Sequence, residues 1–153
     1  MEYSQAIEKV RTYLEENAFY TEVPGLEKSD GGVLESFLRT GKGYDTHFAT
    51  AATLMFRYYG IAARYAEGYM VTPEDVESAE EGQAIDIAKN RVHAWTEIYI
   101  DGIGFVPLEV SPKYKGLMRE ADLSKGIEYN SAYMEQKNYK SMSKNLQRLE
   151  SGQ

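Results

Sequence analysis

Three residues of this 153-residue chain have side chains suited to concerted chemistry: Asp45, His93 and Glu109. An imidazole can move a proton while a carboxylate holds the ring in one orientation, which is the logic of general-base and nucleophilic sites. Asp45 follows Gly41-Lys42-Gly43-Tyr44 and opens the run THFATAATLMFRYY, a place where a helix begins. Unpaired N–H groups and the helix dipole favour negative charge there, and the same location lowers the pKa of a thiol. The chain has no cysteine. Taken alone, Asp45 therefore reads as a helix N-cap, worth about 1 kcal/mol over Ala.

His93 lies in a β-rich run over residues 92–100 and Glu109 in another over 105–110, with Asp101-Gly102 between them as a hairpin signal. Side chains on paired strands meet only if they share a face. A three-residue loop at 101–103 puts His93 and Glu109 on one face as diagonal neighbours, whereas a two-residue turn puts them on opposite faces. An odd-length loop or a compensating bulge is therefore expected.

Other residues offer weaker signals. One imidazole and two carboxylates, with His47 as a fourth ligand, also compose a divalent-metal set; His47 equally reads as local packing or capping. Trp95 and Tyr99 share the His93 face and would wall an acyl-binding groove, or serve as plain core. Tyr44 stands next to the backbone N–H of residue 45 and is a candidate substrate contact at an oxyanion site. Arg64 and Glu67 read as structural or solvated. The GKG glycines lack the spacing of a phosphate loop.

Ser4 is the expected cap of a first amphipathic helix carrying Ile7, Val10 and Leu14 to Asn17. Residues 19–26 read as an extended connection. A second helix, capped by Asp30, presents Val33, Leu34, Phe37 and Leu38 before Gly41 and Gly43 stop it. The helix from Asp45 to Tyr59 is apolar on nearly every side, which places it centrally. Gly60 ends it, and residues 61–71 alternate as a strand. Residues 72–91, with Glu74, Asp75, Glu77, Glu80 and Glu81, read as a mobile surface insertion. Beyond Pro112 the chain turns polar, with a late helix through Tyr139, Met142, Leu146 and Leu149.

Composition sets the outer limits. One domain fits the length, and 42% hydrophobic residues with thirteen Tyr and five Phe supply a packed core. A net charge of −7 argues against nucleic acid, which is bound by clustered Lys and Arg. No run approaches the roughly 20 apolar residues of a membrane span, so no membrane contact is expected of this segment. It reads as soluble, and as a piece that a larger secreted or membrane-tethered protein would contain.

The stretches GKGYDTHFATAATLMFRYYGIAARYAEGYMV and VHAWTEIYIDGIGFVPLEVSP together resemble the bacterial transglutaminase-like family, part of the papain-like thiol enzyme superfamily. The resemblance covers residues 3–115. It implies an α+β fold in which an apolar central helix packs on an antiparallel sheet, with a core over 1–115 and a partly helical extension over 116–153. It also implies acyl transfer or hydrolysis at glutamine or peptide amides, with no cofactor. Carried across, the nucleophile position falls on Asp45, the general base on His93 and the orienting acid on Glu109. Glu for Asp at 109 is a mild departure. Asp for Cys at 45 removes the thiol, and Ala62 replaces a proline.

A carboxylate is a poor nucleophile toward an amide, so thiol catalysis is not expected of the chain as it stands. Three explanations of Asp45 follow: an engineered replacement of the only cysteine, a natural pseudoenzyme, or a different site. A non-catalytic peptide-binding module in the same groove and the small metal site are the alternative functions.

Overall fold

The computed structural model describes residues 2–25 and 31–120. Helix α1, Tyr3–Asn17, buries Ala6, Ile7, Val10 and Leu14 on the stripe that its periodicity predicts. Its N-cap is Glu2 and no side chain caps it, so Ser4 lies inside the helix. Strand β1, Phe19–Tyr20, pairs in parallel with β2, Lys42–Gly43. Between them runs α2, Gly32–Thr40, which stops at Gly41 in the left-handed conformation (φ 68°). Its N-cap is Gly31; Asp30, the expected cap, lies outside the described residues.

Helix α3, Asp45–Tyr58, is the central element. Phe48, Ala49, Ala51, Ala52, Thr53 and Phe56 are buried. Leu54 and Tyr58 are exposed, so the helix is not enclosed on every side as its composition suggests. Its far end closes with Gly60 at φ 80°, where Ile61 N–H donates to Phe56 C=O and Gly60 N–H to Arg57 C=O. That is a Schellman stop, which only glycine adopts without strain.

The sheet runs β3–β4–β5, all antiparallel: β3 is Ala63–Tyr69, β4 Val92–Ile100 and β5 Gly104–Leu108. α3 packs on β4 and β3, and α1 and α2 flank α3. Ala94, Thr96, Ile98 and Ile100 turn inward, and Ile98 and Ile100 join Phe48, Ala52 and Phe56 in one apolar cluster with Leu14, Phe37 and Leu108. Helices on one side of an antiparallel sheet make this the expected α+β arrangement.

A buried polar contact fixes how the helix sits on the sheet. Thr53 Oγ1 donates to Ala49 C=O at 2.8 Å and lies 2.8 Å from Thr96 Oγ1. A side shift of either element would leave a buried hydroxyl without a partner, so the pair locks the relative register.

Residues 70–91 depart from a plain loop. They contain α4, Pro73–Glu77, and a 3-10 turn, Lys89–Arg91. Thr72 caps α4, and Asp75 accepts both from Thr72 N–H and from the Arg91 guanidinium at 2.8 and 3.2 Å. The surface location is as expected. The late helix over 139–149 lies outside the described residues.

Candidate active site

The site lies where the N-terminus of α3 meets the start of β4. The β1–β2 pair leads the chain into α3: Phe19 N–H donates to Gly41 C=O and Thr21 N–H to Gly43 C=O. At Gly43 a Cβ would lie 2.7 Å from Phe37 Cδ2 and 2.8 Å from His47 Cβ, so α2, β2 and α3 close up only around a glycine. Tyr44 is the N-cap residue of α3. Its N–H donates to His47 Nδ1 at 3.1 Å, and its ring meets the His47 ring edge-on at 4.3 Å. His47 thus secures the helix start, while burial pulls its pKa down.

Asp45 is the first residue of α3 and not its cap. Oδ1 accepts from Thr46 N–H at 2.8 Å, and Oδ2 turns away from the helix to accept from Ala94 N–H at 3.0 Å. The same Oδ2 lies 2.8 Å from His93 Nδ1. The competing partners on β4 take the oxygen that a cap would have aimed at its own helix.

The β4–β5 loop has the odd length expected. Ile100 pairs with Gly104, leaving Asp101-Gly102-Ile103 as the turn, with Gly102 and Gly104 at φ 82° and 109°. His93 and Glu109 consequently share a face, and Glu109 Oε2 lies 2.5 Å from His93 Nε2. Glu109 stands one residue past the end of β5. Its Oε1 accepts from Val110 and Ser111 N–H at 3.1 and 2.9 Å, which holds the carboxylate in one orientation. The three groups predicted from the sequence are therefore assembled in one line, carboxylate, imidazole, carboxylate.

Burial decides what this line does. The His93 side chain is fully enclosed and that of Glu109 is 4% exposed. Burial of the ring opposes its charge, but hydrogen bonds and attraction from Asp45 and Glu109 override this and raise its pKa to about 9. Asp45 balances in the opposite sense. Burial favours its neutral form, yet the bonds from His93, Ala94 and Thr46 hold its pKa below the usual value. With its pKa raised to about 9, His93 favours the imidazolium form at neutral pH, in which each ring nitrogen donates to one carboxylate.

Tyr114 was not singled out by the sequence, and it stacks on His93 with ring centroids 3.9 Å apart. It sits in a 3-10 turn, Pro112–Tyr114, that folds back after Glu109. Tyr20 of β1 meets the Tyr114 ring edge-on at 6.1 Å, and Lys113 pairs with Glu22. The apolar spacing around Pro112 is too short to show such a fold-back. Trp95 lies on the His93 face, 6.0 Å from its ring, and donates to Glu97 Oε1 at 3.2 Å. Gly68 makes room for it, since a Cβ there would lie 2.9 Å from the indole. Tyr99 is exposed on the same face and packs edge-on against Phe105. Among the described residues no cluster of three or more His, Asp and Glu converges to hold a metal ion.

Comparison with known proteins agrees with this architecture. The chain is 31% identical over 106 residues to the uncharacterized protein YebA of Bacillus subtilis (strain 168), a match covering 67% of this chain and 14% of that protein. It is similar in structure to the periplasmic domain of TgpA from Pseudomonas aeruginosa bound to ethylmercury, with TM-score 0.55, 23% identity, and coverage of 74% of this chain and 38% of that one. A second structure of the TgpA domain gives the same TM-score and identity. The chain thus spans only a fraction of the length of these relatives. Residues 1–110 match the model of the transglutaminase-like superfamily, and with β3–β4–β5 packed on α3 in place, the chain belongs to that superfamily.

Proposed function

We propose that this chain is a transglutaminase-like domain whose thiol nucleophile position is held by Asp45, and that it keeps the charge pattern of a thiol enzyme's site without its acyl-transfer chemistry. The observation that carries this reading is the His93 ring held between Asp45 Oδ2 at 2.8 Å and Glu109 Oε2 at 2.5 Å. In a thiol enzyme an activated cysteine and its histidine form a thiolate–imidazolium pair, and the carboxylate–imidazolium pair has the same charges. In the inherited layout His93 occupies the position of the base and Glu109 that of the acid that orients it, while the ring itself is held as imidazolium. The core segment, residues 1–115, contains all three, with 116–153 as an extension.

The inherited activity on this reading is acyl transfer or hydrolysis at a glutamine or peptide amide. Asp45 would give a mixed anhydride if it attacked an amide, and the protonated His93 cannot relay a proton from water, so turnover is not expected. On this reading the domain holds a peptide without cleaving it, with Tyr44 and Trp95 as the substrate contacts. A metal site gains no support, because the two carboxylates sit at opposite ring nitrogens and do not converge on one point.

The test is Asp45→Cys followed by alkylation with iodoacetamide at neutral pH. The introduced thiol is expected to react stoichiometrically and well above the rate of a free thiol, whereas the unmodified chain does not react. A thiol no more reactive than free cysteine would contradict the inherited triad.

A further inference from the structure

Glu109 must present its carboxylate to a buried imidazole from a position just beyond the end of β5, where the strand ladder no longer holds the main chain. A different pair of residues takes over that task. Arg11, on α1, donates from Nη2 to Glu109 C=O at 3.2 Å and to both carboxylate oxygens of Glu120 at 2.7 and 2.8 Å. Glu120 Oε1 in turn accepts from Glu109 N–H at 3.2 Å. One ion pair therefore grips both main-chain polar groups of the residue that orients His93.

We propose that Arg11 and Glu120 are positioning residues for the site, so that the working unit extends through Glu120. This rests on the reading of Asp45, His93 and Glu109 as an inherited triad. Glu120 lies beyond the residues 1–110 matched by the superfamily and beyond the boundary at residue 115 expected from the sequence. Glu120 is exposed at 36%, whereas Arg11 is 27% exposed and its Nε is buried without a partner among the described residues; the two bonds to the Glu109 main chain are what tie this ion pair to the site. The two N–H groups of Nη2 are shared between Glu109 C=O and the Glu120 carboxylate, and with the return bond from Glu109 N–H to Glu120 they specify a geometry and not merely a charge.

The grip acts on the imidazole through Glu109. A Glu109 main chain free to shift would lengthen the contact with Nε2, and misplacement of an orienting group by about 1 Å weakens catalytic geometry by up to about a hundredfold. Loss of that contact lowers the basicity of His93, and a thiol at position 45 would then ionise at higher pH.

The experiment places Glu120→Gln and Arg11→Lys separately in the Asp45→Cys chain and follows iodoacetamide alkylation across pH, with melting temperature measured in parallel. Glu120→Gln is expected to slow alkylation at pH 6 about tenfold and to move the midpoint of the profile upward by about one unit. Arg11→Lys, which keeps the charge but not the geometry, is expected to fall between. A profile that stays in place in a folded, reactive Asp45→Cys chain while melting temperature drops overturns the positioning role and leaves the triad intact. An Asp45→Cys chain no more reactive than free cysteine is a different outcome, and it overturns the triad and this proposal together. If Glu120→Gln does not fold under assay conditions, amide exchange at Glu109 in Arg11→Lys decides: accelerated exchange is expected, and unchanged exchange overturns the proposal.

Discussion

His93–Glu109 and Arg64–Glu97 lie on the same sheet face at nearly the same separation, 2.5 and 2.6 Å, and yet they belong to different regimes. At the far end of the sheet the Arg64 side chain is 55% exposed, stacks over the Phe105 ring and pairs with Glu97, which is 12% exposed and also accepts from Trp95 Nε1. At the site end, imidazole and carboxylate are almost wholly enclosed, and a second carboxylate approaches the opposite nitrogen. Water reaches the Arg64 guanidinium and screens the first pair, and Glu97 keeps the Trp95 N–H if Arg64 is lost. Nothing replaces a partner of the second, and the two carboxylates together favour the charged form of His93. Distance alone does not distinguish a decorative ion pair from a site; enclosure and shared partners do.

The contrast is sharpest under substitution. Glu109→Ala strands a buried imidazolium and frees Val110 and Ser111 N–H, and is expected to cost about 3–5 kcal/mol in a urea or thermal melt. A loss below 1 kcal/mol would place the site pair in the same regime as the exposed one and break the comparison.

Raising pH tests the same enclosure without changing a residue. The folded pKa of His93, about 9, lies above the ordinary 6.5, so its contribution is fully present below pH 6.5 and is lost as pH rises through about 9. That loss is roughly 3 kcal/mol at most. Asp45, whose pKa is depressed below 3.8, contributes above that value and loses its contribution as pH falls further. Melting temperature is therefore expected to be highest between about pH 4 and 6.5 and to decline toward 9. A flat profile from pH 6 to 9 would mean that His93 does not gain its proton from folding.

Gly43→Ala addresses the approach of elements that delivers Asp45 to His93. A methyl 2.7 Å from Phe37 Cδ2 must push α2 or α3 aside, at a cost of about 1–3 kcal/mol, and should also lower the His93 pKa. The smallest effect belongs to the exposed pair: Arg64→Ala is expected to change stability by about 0.2–1 kcal/mol and to leave the His93 titration unmoved.

Much of this was legible in the sequence, for reasons of local physics. The apolar stripes of α1 and α3, the glycine stops at Gly41 and Gly60, and the Asp-Gly turn each have strong local signals. Face parity made the three-residue turn a requirement once His93 and Glu109 were taken as partners. The capping preference of Asp45 misled because a tertiary contact, Ala94 N–H with His93, outcompeted the helix's own N–H groups for Oδ2. Ser4 failed as a cap because α1 begins two residues earlier than that cap requires, at Tyr3, with Glu2 before it. Tyr114, Arg11 and Glu120 were not visible, since their partners are separated from them along the chain and no periodicity marks them. The acidic stretch over 72–91 concealed α4, whose five residues are too few for a periodic signal.

The most direct measurement is an NMR titration of ring-labelled His93 in the unmodified chain. A line of carboxylate, imidazolium and carboxylate predicts both ring nitrogens protonated at neutral pH and a midpoint near 9. A midpoint near 6.5, or a ring nitrogen without its proton at neutral pH, would contradict it.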